Sequence, residues 1–262
     1  MQLPGKGEFM VFLVTFIRGL IMMFYITIST LFFSVLSILI SLIFRAPDLA
    51  FEIDRYFWGR VALWLSGIQV EVRGLENLPQ DGRGYLFLFN HTSYTDIIAM
   101  ISWLPKMPRF GAKIELFKIP FFGAAMHSLG HIPIARDNRR EVLKLYEEAG
   151  ARVAKGVVFA LAPEGTRQSG GELGKFKRGP FIFAVGAKMK VVPLLIVGAE
   201  QVQPKGSFLM NVGRWTRKII LQIQPSIDAT EYTLENLSLL QERTKEQMAP
   251  QYQQLQKELG YK

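Results

Sequence analysis

The chain has 262 residues, a length that suits one or two domains, and no cysteine, which excludes disulfides, thiolate nucleophiles and cysteine-ligated metals. Its 31 Lys and Arg against 22 Asp and Glu give a net charge of +9 and a pI near 9.7, a balance that favours anionic partners: nucleic acid, acidic lipid headgroups or phosphorylated substrates. A hydrophobic share of 49% and a mean hydropathy of +0.18 are high for a soluble protein and point to a membrane association.

Residues 19–44, GLIMMFYITISTLFFSVLSILISLIF, hold no charge, and as a helix they are long enough for a hydrocarbon core about 30 Å thick. Arg18 and Arg45 bracket the run as interfacial anchors. A cleaved signal peptide fits poorly, because the run is long and no small-residue cleavage site stands out. A second apolar run, FMVFLVTFI at 9–17, leaves a helical hairpin or a half-embedded arrangement open. In the next segment, 50–68, Glu52, Arg55 and Arg60 share one side of a helical wheel, and Trp58 and Trp64 suit a headgroup boundary. An interfacial helix and an ordinary core-facing helix both satisfy that pattern. The division that follows is a membrane anchor with an interfacial helix over 1–67 and an α/β domain with a C-terminal helix over 68–262. Most of the positive charge lies beyond residue 44, which favours the cytoplasmic side; the expected location is a membrane, the bacterial inner membrane, with the active site on its cytoplasmic face.

From about residue 68, short apolar runs alternate with helix-length segments. Strands are expected at 68–72, 85–89, 131–135, 157–161, 191–197 and 218–223. Helices are expected to start near Asp96, Phe121, Asn138 and Gly179, and a polar amphipathic one fills 231–260. This alternation predicts an α/β fold with a mixed, largely parallel sheet flanked by helices. Pro193 inside one run predicts an edge strand or a bulge there.

Two loops carry the chemistry. YLFLF at 85–89 reads as a buried strand, so Asn90 and His91 fall at its C-terminal end, the edge where open α/β sheets bind ligands. Ser93 and Asp96 fit a helix start, with Ser at the N-cap and an acid three positions on. On a turn feeding a helix, Asp96 can fold back to His91. A neutral imidazole there can take a proton from an attacking hydroxyl, and a carboxylate on its other nitrogen fixes the tautomer. Alone, the pair also reads as a capping acid beside a surface histidine. The second loop repeats the design: VVFALAP at 157–163 ends in Glu164-Gly165-Thr166-Arg167, where Arg167 offers a planar fork of donors suited to phosphate. Lys175, Lys177 and Arg178 follow, with Lys177 expected on a solvated loop. GGELGK lacks the spacing and the Ser/Thr of a true phosphate loop.

The segments NHTSYTD, GHIPIAR, APEGTRQ and VVPLLIVG, in this order and spacing, resemble the four blocks of the glycerolipid acyltransferases, nearest the lysophosphatidic acid acyltransferase (PlsC) branch. The resemblance covers roughly residues 68–200. It implies transfer of an acyl chain from a thioester donor, acyl-CoA or acyl carrier protein, to the sn-2 hydroxyl of a lysophospholipid acceptor. It implies no cofactor, no metal and no covalent intermediate. His91 would be the general base and Asp96 its orienting partner. Glu164, Gly165, Thr166 and Arg167 would form the acceptor-binding block, with Lys113 and Arg136 as further basic positions for phosphate. Ala162 stands where the family often has an aromatic residue, which alters packing beneath the loop. GPFIFAVG at 179–186 reads as a core helix or as the lining of an acyl groove.

Other classes fit less of the sequence. His127 and His131 lack an HExxH frame, which argues against a catalytic zinc site, and no G-x-S-x-G elbow marks a lipase. A non-catalytic adaptor binding acidic membrane lipid would explain charge and anchor but neither loop. No nucleic-acid reader motif accompanies the charge. Within the acyltransferase reading, another lyso-lipid such as a lyso-ornithine lipid is the alternative acceptor.

Overall fold

The computed structural model describes residues 5–134, 139–169 and 171–260. Its centre is one eight-stranded mixed sheet. In chain order the strands are β1 (Ile68–Arg73), β2 (Tyr85–Phe89), β3 (Pro108–Lys113), β4 (Ile132–Ile134), β5 (Val158–Leu161), β6 (Lys190–Val197), β7 (Arg217–Ile223) and β8 (Ile227–Asp228). The order across the sheet is β1-β7-β6-β2-β5-β3-β4, with β8 beside β6. Strands β6, β2, β5, β3 and β4 run parallel, while β7 and β8 pair antiparallel with β6. The C-terminal ends of the five parallel strands therefore share one edge.

Alternation along the strands sorts the core into two faces, as period-2 side chains require. Leu86, Leu88, Phe159, Leu161 and Val191 bury against helices α6 (Arg139–Ala154), α7 (Arg178–Gly186) and α9 (Leu237–Glu258). Tyr85, Phe87, Phe89, Val192 and Leu194 face the other layer, which includes α4 (Thr95–Trp103) and the short α8 (Ala199–Val202). Phe181, Phe183 and Ala184 of α7 are buried in the first layer, so 179–186 is a core helix.

The N-terminal layer departs from expectation. Residues 9–17 and 19–44 form one continuous helix, α1 (Lys6–Phe44), so there is no hairpin. At 39 residues it is about 58 Å long, and it lies along the α/β domain. Thr15 Oγ1 accepts the N–H of Gly213, and Arg18 donates to the carbonyls of Asn211, Arg214 and Trp215. Farther on, Ser37 donates to Asp54, and Ile40 packs with Ala50, Phe51 and Leu129. Thr15, Met22, Ser29, Ser37 and Ile40 form the buried stripe, whereas Phe9, Phe12, Phe24, Phe32, Leu42 and Phe44 are exposed. The helix is long and apolar enough to cross a membrane.

The segment 47–65 consists of α2 (Pro47–Ile53), a π-helical stretch Asp54–Arg60, and α3 (Val61–Leu65). A π-helix turns less per residue than the α-helical wheel assumes. Arg55, expected on the polar side, is instead buried: it pairs with Glu52 and donates to Leu104 O. Trp58, expected at a headgroup boundary, points inward and donates to Thr30 Oγ1 at 3.0 Å. Tyr56, Phe57 and Trp64 stay exposed.

Pro193 is another correction. It sits in β6, a central strand, opposite Leu88 of β2. Its carbonyl accepts the N–H of Gln224, so its ring nitrogen faces the gap between β7 and β8, where no ladder bond is lost. Strand β3 was not among the expected strands; within it a Cβ on Gly111 would come within 2.1 Å of Leu161 Cδ2. Helix α5 (Phe122–Ser128) follows it.

Gly84 sets the entry to β2. Its N–H donates to Val153 O, and a Cβ there would lie 1.8 Å from Val157 O. Backbone cannot yield as a side chain does, so Gly84→Ala should cost at least about 1–3 kcal/mol. Gly179→Ala, with open space around its Cβ, is the control and should leave stability equal or higher. Thermal unfolding of both variants in detergent checks this.

Candidate active site

The apolar strand β2 ends at Asn90, whose side chain is buried and pairs with β6. Its Nδ2 donates to Ile196 O at 2.8 Å and its Oδ1 accepts the Ile196 N–H at 2.7 Å. That two-point bond pins the strand end, and the chain turns immediately. His91 follows, then Thr92 and Ser93, before α4 begins. Asp96 is fully buried in the first turn of α4 and reaches back across the turn. One of its oxygens, Oδ2, accepts the N–H groups of Thr92 (2.7 Å) and Ser93 (2.9 Å) and lies 2.8 Å from His91 Nδ1. Asp96 thus caps the turn and meets the imidazole at once. The two backbone donors fix Oδ2 as an acceptor, so in the neutral ring Nδ1 carries the proton and Nε2 the lone pair. Ser93, expected as the N-cap, lies one residue before the observed one, Tyr94. Its Oγ accepts the Thr95 N–H and donates to Gln203 O.

The Glu164–Arg167 turn leaves β5, the neighbour of β2, on the same edge. Glu164 is buried, and both its carboxylate oxygens are engaged by backbone. Oε2 accepts the N–H of His91 at 2.9 Å and Oε1 accepts that of Gly174 at 2.8 Å. The carbonyl of His91 in turn accepts the Gln168 N–H at 2.7 Å. Both backbone groups of His91 are therefore bound by one turn of the adjacent loop. Gly165 takes φ +69°, where a Cβ would approach Lys177 Nζ to 2.8 Å, so the turn requires glycine. Burial pushes the Glu164 pKa up, against the opposing pull of the His91 and Gly174 N–H groups.

Arg167 lies with its Cζ 3.8 Å from the ring centre of Tyr94. Its Nη1 is buried without a hydrogen-bond partner among the described residues. Thr166 is exposed at the tip of the turn, and Lys175, Lys177 and Arg178 are solvated. Lys113 ends β3, two strands from β2 on the same edge, and is exposed. Arg136 lies outside the described residues. Four expected residues thus converge: His91, Asp96, Glu164 and Arg167. Sequence reasoning missed the brace made by Asn90, the return bond of Gln168 and the ring beneath Arg167. Nothing in the spacing signals them, since each depends on which loop lies alongside.

Among the described residues no group of three or more His, Asp or Glu could hold a metal ion. His131 accepts the Phe110 N–H on Nδ1, and burial with the nearby Arg109 and Arg152 charges pushes its pKa down to about 3.

These two loops share one edge of a mostly parallel sheet, and the family model described as Acyltransferase matches residues 69–197. The 1-acyl-sn-glycerol-3-phosphate acyltransferase of Pseudomonas aeruginosa is 35% identical over 179 residues, 65% of this chain and 68% of the relative. A chloroplastic enzyme of that name from Arabidopsis thaliana is 33% identical over 150 residues, 57% of this chain and 42% of its own. The chain spans about two fifths of the length of such plant and algal relatives. The crystal structure of the 1-acyl-sn-glycerophosphate (LPA) acyltransferase PlsC from Thermotoga maritima superposes with a TM-score of 0.74 at 26% identity, covering 92% of this chain and 98% of that one. The chain belongs to the 1-acyl-sn-glycerol-3-phosphate acyltransferase family.

An amide at position 164 keeps one acceptor oxygen and turns N–H groups toward a backbone donor. Glu164→Gln should therefore cost about 1–3 kcal/mol, the price of an unsatisfied buried donor. The pH dependence has a definite sign. The raised pKa means the folded chain holds the Glu164 proton more tightly than the unfolded chain. That contribution is complete below the ordinary glutamate value of about 4.3 and is lost as pH rises through the folded value. The stability gap between wild type and Glu164→Gln should narrow as pH rises from about 4.3 toward neutrality. Unfolding midpoints across a pH series check it; a gap that widens contradicts it.

Proposed function

We propose that this chain moves a fatty acyl group from a thioester donor, acyl-CoA or acyl carrier protein, to the sn-2 hydroxyl of lysophosphatidic acid, giving phosphatidic acid. The observation that carries the reading is the 2.8 Å contact of His91 Nδ1 with Asp96, held on the sheet edge beside Arg167. With Nδ1 donating to Asp96, Nε2 is the ring nitrogen left to act on a substrate. It takes the acceptor's hydroxyl proton as that oxygen attacks the thioester carbonyl carbon. The tetrahedral intermediate collapses, the carbon–sulfur bond breaks, and the leaving thiolate takes the proton back from His91. Asp96 stabilises the imidazolium between the two steps. No covalent enzyme intermediate is needed.

In this reading Arg167 binds the acceptor's phosphate through its fork of donors, and Lys113 adds positive charge along the same edge. Glu164 acts by placing the loops, since backbone donors occupy both its oxygens. Residues 1–67 form the membrane-facing part. The exposed apolar side of α1, with Tyr56, Phe57 and Trp64, supports burial in lipid. Docking of α1 along the domain favours an attachment that keeps the site at the membrane surface. The basic remainder of the chain supports a cytoplasmic orientation, and the similarity to a Pseudomonas aeruginosa enzyme supports the inner membrane of a bacterium.

His91→Ala should leave the unfolding midpoint near wild type, because the backbone ties of residue 91 remain, and lower turnover about 10²–10⁴-fold, the usual cost of losing a general base. Transfer of labelled acyl chains to lysophosphatidic acid by purified protein in detergent checks this. Near-normal turnover in the variant rules out the mechanism.

A further inference from the structure

We infer that Tyr94 is a positioning residue, whose ring holds the guanidinium of Arg167 in the plane that receives the acceptor's phosphate; the inference rests on the function proposed above. Tyr94 sits between His91 and Asp96, and the residue is 54% exposed, so the core does not require its ring. Its backbone is nevertheless held. The preceding Ser93 donates its N–H to Asp96 and its Oγ to Gln203 O, and Tyr94 itself caps α4. The ring is thus a side chain presented to solvent from a rigid turn, and what it meets is Arg167, with Cζ 3.8 Å from the ring centre.

The choice of an aromatic ring matters chemically. A carboxylate holding Arg167 would occupy its donors and cancel its charge. A ring binds the flat face of the guanidinium and leaves the N–H groups on its rim to bind a planar pair of oxygens. No ion pair to Arg167 exists among the described residues, and Nη1 is buried with its donors unused. The arginine is ordered by stacking, with hydrogen-bonding capacity in reserve.

The connection to His91 makes this a ruler. The residue after Arg167, Gln168, donates its N–H to His91 O, and Glu164 accepts the His91 N–H. The backbone of the anion-binding turn is therefore tied to the backbone of the base. The long arginine side chain is the one flexible link between them, and Tyr94, three residues from His91, removes that freedom. The acceptor's phosphate and its hydroxyl are then held at a set separation.

The test compares Tyr94→Phe, Tyr94→Leu and Tyr94→Ala with Arg167→Ala and the Tyr94→Ala/Arg167→Ala double variant, as full-length protein in detergent. Acceptor KM, donor KM and kcat are measured, together with the Kd for lysophosphatidic acid without donor, by isothermal titration. Tyr94→Phe should keep acceptor KM and Kd within about twofold, because the stack survives. Tyr94→Ala and Tyr94→Leu should raise both by about two- to thirtyfold, the range of a lost cation–ring contact, with donor KM unchanged. In the Arg167→Ala background, removing the ring should add nothing further. The inference is overturned by an unchanged acceptor Kd in Tyr94→Ala, by equal losses toward donor and acceptor, or by a full additional loss in the double variant. Failure of the general-base reading is seen separately, as turnover retained in His91→Ala. If Arg167→Ala leaves the acceptor Kd unchanged, Arg167 does not bind the phosphate and the inference falls with that assignment.

Discussion

The site depends on how His91 is held. Its N–H is bound by Glu164 and its carbonyl by Gln168, so two loops that leave neighbouring strands behave as one piece at this residue. Breaking either bond would leave a buried backbone group unpaired or let the Glu164–Arg167 turn shift relative to the imidazole. Asp96 adds a third restraint through the side chain, and Asn90 a fourth by fastening the end of β2 to β6. Each restraint uses a different atom, and together they leave the ring little freedom except at Nε2. Burying a carboxylate such as Glu164 is unfavourable, as its raised pKa reflects. Its two backbone donors offset that cost and give the carboxylate a structural task.

Much of this was readable in the sequence, for physical reasons. A continuous apolar run such as YLFLF can only be a buried segment. A following histidine then lies at a sheet edge, and an acid in the first turn of the next helix can reach back to it. The mixed sheet and the flanking helices came from the same alternation of short runs and helix-length segments. What could not be read depended on contacts between distant segments. Strand β3 carries Pro108, Arg109 and Gly111 and no apolar run; it is a strand because it pairs with β5 and β4, and Gly111 leaves the space that Leu161 and Ile134 fill. Pro193 suggested an edge strand or a bulge; its strand is central, and its nitrogen faces the gap between β7 and β8. Arg55 shared the polar side of a wheel drawn for an α-helix, yet it is buried, in the first turn of a π-helical stretch. That each oxygen of Glu164 accepts a backbone N–H, from His91 and from Gly174, is visible only in the geometry.

The N-terminal helix shows the same limit. The lack of charge over 19–44 was evident, and so was the capacity of that run to sit in lipid. Its relation to the rest of the chain was not. Thr15, Ser29 and Ser37, with Met22 and Ile40, form the buried side, and most of the large apolar residues point away. A helix held along its length in this way does not behave as a tether of independent orientation. The proposed reaction joins a lipid acceptor to an acyl chain, and a rigid apolar face beside the sheet would hold the site at a fixed depth relative to the bilayer.

The most direct measurement is the structure of the protein with a non-hydrolysable ether analogue of lysophosphatidic acid bound and no acyl donor. The expected result has phosphate oxygens about 2.7–2.9 Å from the Arg167 guanidinium, which remains stacked on Tyr94. The free hydroxyl lies about 2.6–3.2 Å from His91 Nε2. A phosphate bound at Lys113 with Arg167 still unpaired, or a hydroxyl out of reach of His91, would contradict a site in which one pair of clamped loops holds both the base and the anion.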